Sequence, residues 1–167
     1  MMPRRPSLIL IAAFAAAAIA ATPAAANRQV VRDELRETRA LKLNGRIDIR
    51  KAIAGHRGDL LEHKVVMRKR IAPKRGRERP LIALNTRGSR RSDAEYLVFG
   101  KGIFKNRKKG DPKLIGEAKL IARGRSWTYR FDAGEIPGLK RYGWSAVVTK
   151  GNAFDIAPAK RYKRHRV

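Results

Sequence analysis

The strongest constraint on what this chain can fold into is a period of two. In SWTYRFD, residues 126–132, Trp127, Tyr129 and Phe131 share one parity while Ser126, Thr128 and Arg130 take the other. Successive strand side chains point to opposite faces, so this pattern buries three aromatics on one side of a sheet and wets the other. The parity recurs in LLEHKVVMRKR, where Leu61, His63, Val65 and Met67 alternate with Glu62, Lys64, Val66 and Arg68. In RYGWSAVV, Tyr142, Trp144, Ala146 and Val148 share a face, and in KLIGEAKLIARG, Ala118, Leu120 and Ala122 oppose Glu117, Lys119 and Arg123. PLIALNTRG is a short apolar run closed by a turn signal. DAEYLVFGKGIF alternates but is interrupted by Gly100 and Gly102, which predicts a bulge or bend within it.

Several strands at regular spacing, separated by glycine-rich or basic turns, predict an all-β fold: a single antiparallel β-sandwich over residues 45–158, jelly-roll or immunoglobulin-like. Residues 27–44 form a lead-in. Within them, RQVVRDELRETRALKL is the helix candidate, with Val31, Leu35, Ala40 and Leu43 sparse among dense charges, so a short helix or an ill-ordered lead-in is expected. Residues 159–167 read as a basic C-terminal tail.

The N-terminus adds an address. Arg4 and Arg5 precede an apolar run from Leu8 to Ala21, followed by Pro23 and the small residues Ala24, Ala25 and Ala26. This is the layout of a secretory signal peptide over residues 1–26, with the exported chain starting at Asn27 and no membrane span after cleavage. The competing reading is a retained N-terminal anchor, because Ser7 to Ala26 is nearly long enough to span a bilayer. The expected location is secreted or envelope-associated. The chain has no cysteine, so disulfides and a lipidated N-terminal cysteine are excluded.

Charge then narrows the partners. The formal net charge is +26, and only Arg4 and Arg5 of the cations leave with the leader. Such a field repels other copies of itself and attracts polyanions: nucleic acid, anionic wall polymers or anionic lipid surfaces. The cations concentrate in three runs: Arg68, Lys69, Arg70, Lys74, Arg75, Arg77 and Arg79; Lys105, Arg107, Lys108, Lys109 and Lys113; and Lys160, Arg161, Lys163, Arg164, His165 and Arg166. Each lies beside apolar strand-like segments and reads as a loop or tail. The candidate polyanion-binding residues are therefore Arg68, Lys69, Arg70, Lys74, Arg75, Lys105, Arg107, Lys108, Lys109, Lys160, Arg161, Lys163 and Arg164, on loops gathered at one end of the sandwich. The alternative is that these loops carry charge only for solubility. No helix-turn-helix, zinc-finger or RNA-recognition signature is present, and the aromatics do not interleave with the basic runs, so sequence-specific nucleic acid is not an expected partner.

Chemistry is thinly supplied. A Ser-His-Asp set would need His56 or His63 near Ser89, Ser92, Ser126 or Ser145, and none of these serines lies in a G-x-S-x-G elbow. His63 is in phase with Leu61 and Val65, the position of a buried histidine rather than a general base. No His or Cys spacing suits zinc. Asp48 between Ile47 and Ile49, Asp93 ahead of a strand, and Asp132, Glu135 and Asp155 at strand ends are the acids that a calcium site would draw on, but among so many cations most acids are expected in ion pairs or turns. A carboxylate pair of the glycosidase type is defined only by the fold. No cofactor and no metal is expected. Trp127 and Trp144 alternate in phase with apolar neighbours, so both are expected in the core rather than on a sugar-stacking surface. Tyr142, where a strand begins, suits a tyrosine corner with its hydroxyl bonded to nearby backbone.

Taken together, GRIDIRKAIAG, LLEHKVVM, LIALNTRG, SDAEYLVFG and EIPGLKRYGWSAVVTKGNAFDIAP resemble small secreted bacterial β-sandwich domains. Their plan is similar to carbohydrate-binding, DOMON-like and immunoglobulin-like modules. The resemblance implies a binding module rather than an enzyme. DOMON-like domains that hold haem use Met and His, and Met67, His56 and His63 do not map onto such a motif. The expected function is non-catalytic association with an anionic envelope or extracellular polymer. A carbohydrate-binding or adhesion module with incidental charge is the first alternative, and a carboxylate hydrolase the second.

Overall fold

The structure, a computed structural model, describes residues 28–32, 47–69, 79–87, 94–158 and 162–167. Two antiparallel sheets pack face to face in an all-β sandwich. The first sheet contains β1 (Gln29–Arg32), β2 (Ile49–Arg57), β3 (Leu60–Met67), β8 (Lys119–Arg123) and β9 (Ser126–Asp132), in the order β1-β2-β3-β9-β8. The second contains β4 (Arg79–Asn85), β5 (Tyr96–Phe99), β6 (Gly102–Lys105), β7 (Lys113–Glu117), β10 (Arg141–Lys150), β11 (Ala153–Ala157) and β12 (Lys163–Arg166). Its order is β11-β10-β4-β5-β6-β7, and β12 shares with β11 the outer edge of β10. β11 pairs with residues 146–150 of β10 and β12 with residues 141–144.

The period-two residues do what their parity requires. Leu61, His63, Val65 and Met67 of β3 are buried, as are Trp127, Tyr129 and Phe131 of β9 and Tyr142, Trp144, Ala146 and Val148 of β10. Ile82 and Leu84 of β4 and Val98 of β5 complete the facing layer. Among the polar ties that cross between the sheets, the Tyr129 hydroxyl donates to the Pro80 carbonyl at 2.7 Å, and the Ile49 amide donates to Asp155 Oδ2 at 2.6 Å. Each satisfies a buried polar group that would otherwise cost about 1–3 kcal/mol.

Several local expectations change. The lead-in is not helical where the structure describes it: Gln29–Arg32 pairs antiparallel with β2, placing Val31 opposite Ala52. Its alternating exposure is that of an edge strand, and a place in the sheet satisfies backbone that a charged four-residue helix could not. The remainder of that lead-in lies outside the described residues. The interruption at Gly100 is a hairpin turn, and a register shift of the bulge type follows just beyond Gly102, between Ile103 and Phe104. Gly100 adopts φ 59° and, with Lys101, reverses the chain so that Phe99 pairs with Gly102. KLIGEAKLIARG is two strands in different sheets, divided at buried Ala118, whose amide donates to the Lys101 carbonyl at 2.9 Å. The basic tail is also a strand: β12 inserts His165 into the interior opposite Tyr142.

Candidate anion-binding surface

Strand register decides which basic runs meet. Lys105 pairs with Tyr96, Tyr96 with Leu84, Asn85 with Gly143, and Arg141 with Arg166. The β6–β7 hairpin, the segment after β4 and the start of β10 with the end of β12 therefore lie at one end of the second sheet. Lys105, Arg107, Lys108, Lys109 and Lys113 are exposed there, and so are Arg87, Arg141, Lys163, Arg164 and Arg166. Thr86, Arg87, Arg141, Arg164 and Arg166 line an open cleft of about 330 Å³ between β10 and β12. Arg164 alone of these five belongs to the residues picked out from sequence. Arg87 and Arg141 fall outside the basic runs, and only strand pairing brings them beside Arg164.

The first run sits elsewhere. Met67 pairs with Ile49, whose amide binds Asp155; Asp155 pairs with Val148, and Val148 with Pro80. Arg68 and Lys69 therefore lie at the opposite end of the sandwich from Lys105, so the three runs do not form one surface at one end. Arg68 is also committed to a partner: its Nε donates to Asp48 Oδ1 at 2.8 Å, and Asp48 is only 8% exposed. That guanidinium offsets a nearly buried carboxylate and is poorly available to an external polyanion. Arg70, Lys74, Arg75, Lys160 and Arg161 lie outside the described residues.

The described acids are largely taken up locally. Glu62 pairs with Arg130 at 2.8 Å, and Asp132 Oδ1 accepts from the Gly134 amide at 2.7 Å. Glu95 pairs with Arg87 and accepts from the Thr86 hydroxyl and amide. Burial alone would raise the Glu95 pKa; the Thr86 bonds and the Arg87 charge outweigh it and hold the carboxyl below its ordinary value. Among the described residues, no three His, Cys, Asp or Glu side chains gather in a metal-binding group.

Beneath the cleft, all three histidines of the chain lie close together. His56 Nδ1 is 3.0 Å from His165 Nε2, and His63 Nε2 is 2.9 Å from the Tyr142 hydroxyl. The Tyr142 ring stands edge-on to His165, and His63 stacks on Phe131 and abuts Trp144. Burial, reinforced by the charge of His165, drives His63 down to about 3; burial, then His56, takes His165 down to about 4. Burial pushes the Tyr142 and Tyr129 phenols above their ordinary range. Among the described residues, the Nδ1 atoms of His63 and His165 have no hydrogen-bond partner. At neutral pH His63 and His165 are thus uncharged, and the Tyr142 hydroxyl meets a histidine rather than the backbone expected of a tyrosine corner. With Trp127 5% and Trp144 0% exposed, neither tryptophan can stack on an external sugar.

No known family model and no curated protein matches the chain. Among the described residues, no helix is long and apolar enough to cross a membrane.

Proposed function

We propose that this chain is a secreted, non-catalytic binding module that associates electrostatically with an anionic polymer of the cell envelope. The observation that carries the reading is the exposed cationic end formed by Lys105, Arg107, Lys108, Lys109 and Lys113 with Arg141, Arg164 and Arg166. The acids near it are few, and Glu95 is held by Arg87 and Thr86. Cations on a preformed rim need little ordering before they meet a polymer, and each contact releases counterions into bulk solution. This reading keeps Arg68 out of the surface and adds Arg141 and Arg166 to it, with Arg87 beside them paired to Glu95.

Its test is charge reversal at Lys105, Arg107, Lys108 and Lys109, each to Glu, in the chain from Asn27. These side chains are exposed, so folding changes little. Elution from a lipid-free anionic wall polymer should shift to markedly lower salt. Elution at the parental salt concentration overturns the assignment.

A further inference from the structure

The two sheets differ on their outer faces. The outer face of the first is mixed: exposed Val30 and Leu60 stand apart from one another among charges, with Glu62 facing Arg130 across β3 and β9 and Arg130 facing Lys119 on β8. In the second, the inward Ile82, Leu84, Tyr96 and Val98 place Leu81, Ala83, Leu97 and Phe99 on the outer side. Pairing extends that side to Phe104 and Leu114. An antiparallel sheet with one solvated face shows hydrophobic-in, polar-out alternation; apolar residues on both faces mark a sheet that is covered on both. Here the β5–β7 region remains open, with Phe99 39% and Leu114 58% exposed. Phe99 stacks on Phe104 with ring centroids 4.1 Å apart. Gly102 lies under this cluster: a Cβ there would come within 2.7 Å of both Phe104 and Leu114, so the missing side chain lets the two close over the strand.

The surroundings select the occupant. Lys101 forms the turn beside Phe99, and Arg107, Lys108 and Lys109 fill the loop joining the strands of Phe104 and Leu114; Lys105 and Lys113, one residue from these, leave the sheet on its other face at the same end. Against them stand Glu117, opposite Gly102, and Asp111 in the loop. A second copy would bring the same cations against these, which is repulsive. A hydrophilic polymer would use the cations but leave Phe99 and Leu114 idle. We propose that this apolar patch with its cationic rim docks on an anionic lipid surface, the rings and Leu114 entering the headgroup boundary while the lysines and arginines meet lipid phosphates. Apolar area and basic residues act together at such interfaces, neither sufficing alone. The inference rests on the electrostatic reading above and adds to its polymer partner a lipid surface, which uses the apolar patch as well as the cations.

The experiment uses the chain from Asn27, which keeps all described strands, with vesicles of about one-third anionic phospholipid and, separately, with soluble polyphosphate. Phe99→Ser with Leu114→Ser should lower vesicle partitioning roughly tenfold or more and leave polyphosphate binding unchanged. Leu114→Trp should strengthen vesicle binding alone. Parental partitioning by the double variant overturns the lipid assignment and spares the electrostatic reading, as does a dimer of the parent chain that the double variant dissolves. If the parent binds neither probe, both readings fall.

Discussion

Replacing His63 with Gln should flatten the acid limb of the stability curve. In the folded chain His63 is fully buried with a pKa of about 3, whereas an exposed histidine titrates near 6.5. Above pH 6.5 the imidazole is neutral in both states and contributes no pH dependence. Below that, the unfolded chain takes up a proton that the folded chain refuses, so stability falls with pH until the folded group titrates at about 3. One such group gives a slope of about 1.4 kcal/mol per pH unit, or about 3 kcal/mol between pH 6.5 and 4. Gln keeps an oxygen that can accept from the Tyr142 hydroxyl but cannot titrate. Urea unfolding of parent and variant at half-unit steps from pH 7 to 4 measures the difference, in which contributions from His56, His165 and the carboxylates largely cancel. The two stabilities should converge as pH falls, whatever their gap at pH 7. Parallel curves would refute the assignment of a neutral, proton-refusing His63 to the core.

Two further outcomes follow from the corrected elements. Truncation after Pro158 removes β12, uncovers the 141–144 edge of β10 and deletes buried His165, so it should cost at least about 2 kcal/mol in urea unfolding; a dispensable tail would cost nothing measurable. Arg68→Ala leaves Asp48 nearly buried without its guanidinium and should lower the urea midpoint by the equivalent of about 1–3 kcal/mol, while Lys108→Ala, at an exposed loop, should stay within about 0.5 kcal/mol. The same Arg68 variant should elute from anionic polymer nearly as the parent does, because its charge is already engaged.

What was legible in the sequence followed from local period. Trp127, Tyr129 and Phe131, or Tyr142 and Trp144, need no knowledge of their partners to be assigned to an interior face, because parity alone separates them from Ser126, Thr128 and Arg130. A glycine inside an alternating run suits a bend, a bulge or a tight hairpin equally; only the pairing of Phe99 with Gly102 selects the hairpin at Gly100, and the register shift falls beyond it, between Ile103 and Phe104. Arg87 and Arg141 were missed for a different reason: they are single cations, and what makes them part of a surface is the juxtaposition of β4, β10 and β12 across long stretches of chain. Arg68 shows the converse. It stands in a dense basic run, yet its nearest business is Asp48, twenty residues earlier. The apolar outer face of the second sheet was half visible, since PLIALN is a run rather than an alternation, the mark of a strand covered on both sides.

The most direct test of the electrostatic account is retention of the chain from Asn27 on a purified, lipid-free anionic envelope polymer across a salt series, beside a neutral polysaccharide. The account predicts retention on the anionic polymer alone, falling linearly in log–log form by about 0.7–0.9 per phosphate contact, so that several contacts give a steep slope. Retention that resists salt and is equal on the neutral glycan would contradict it.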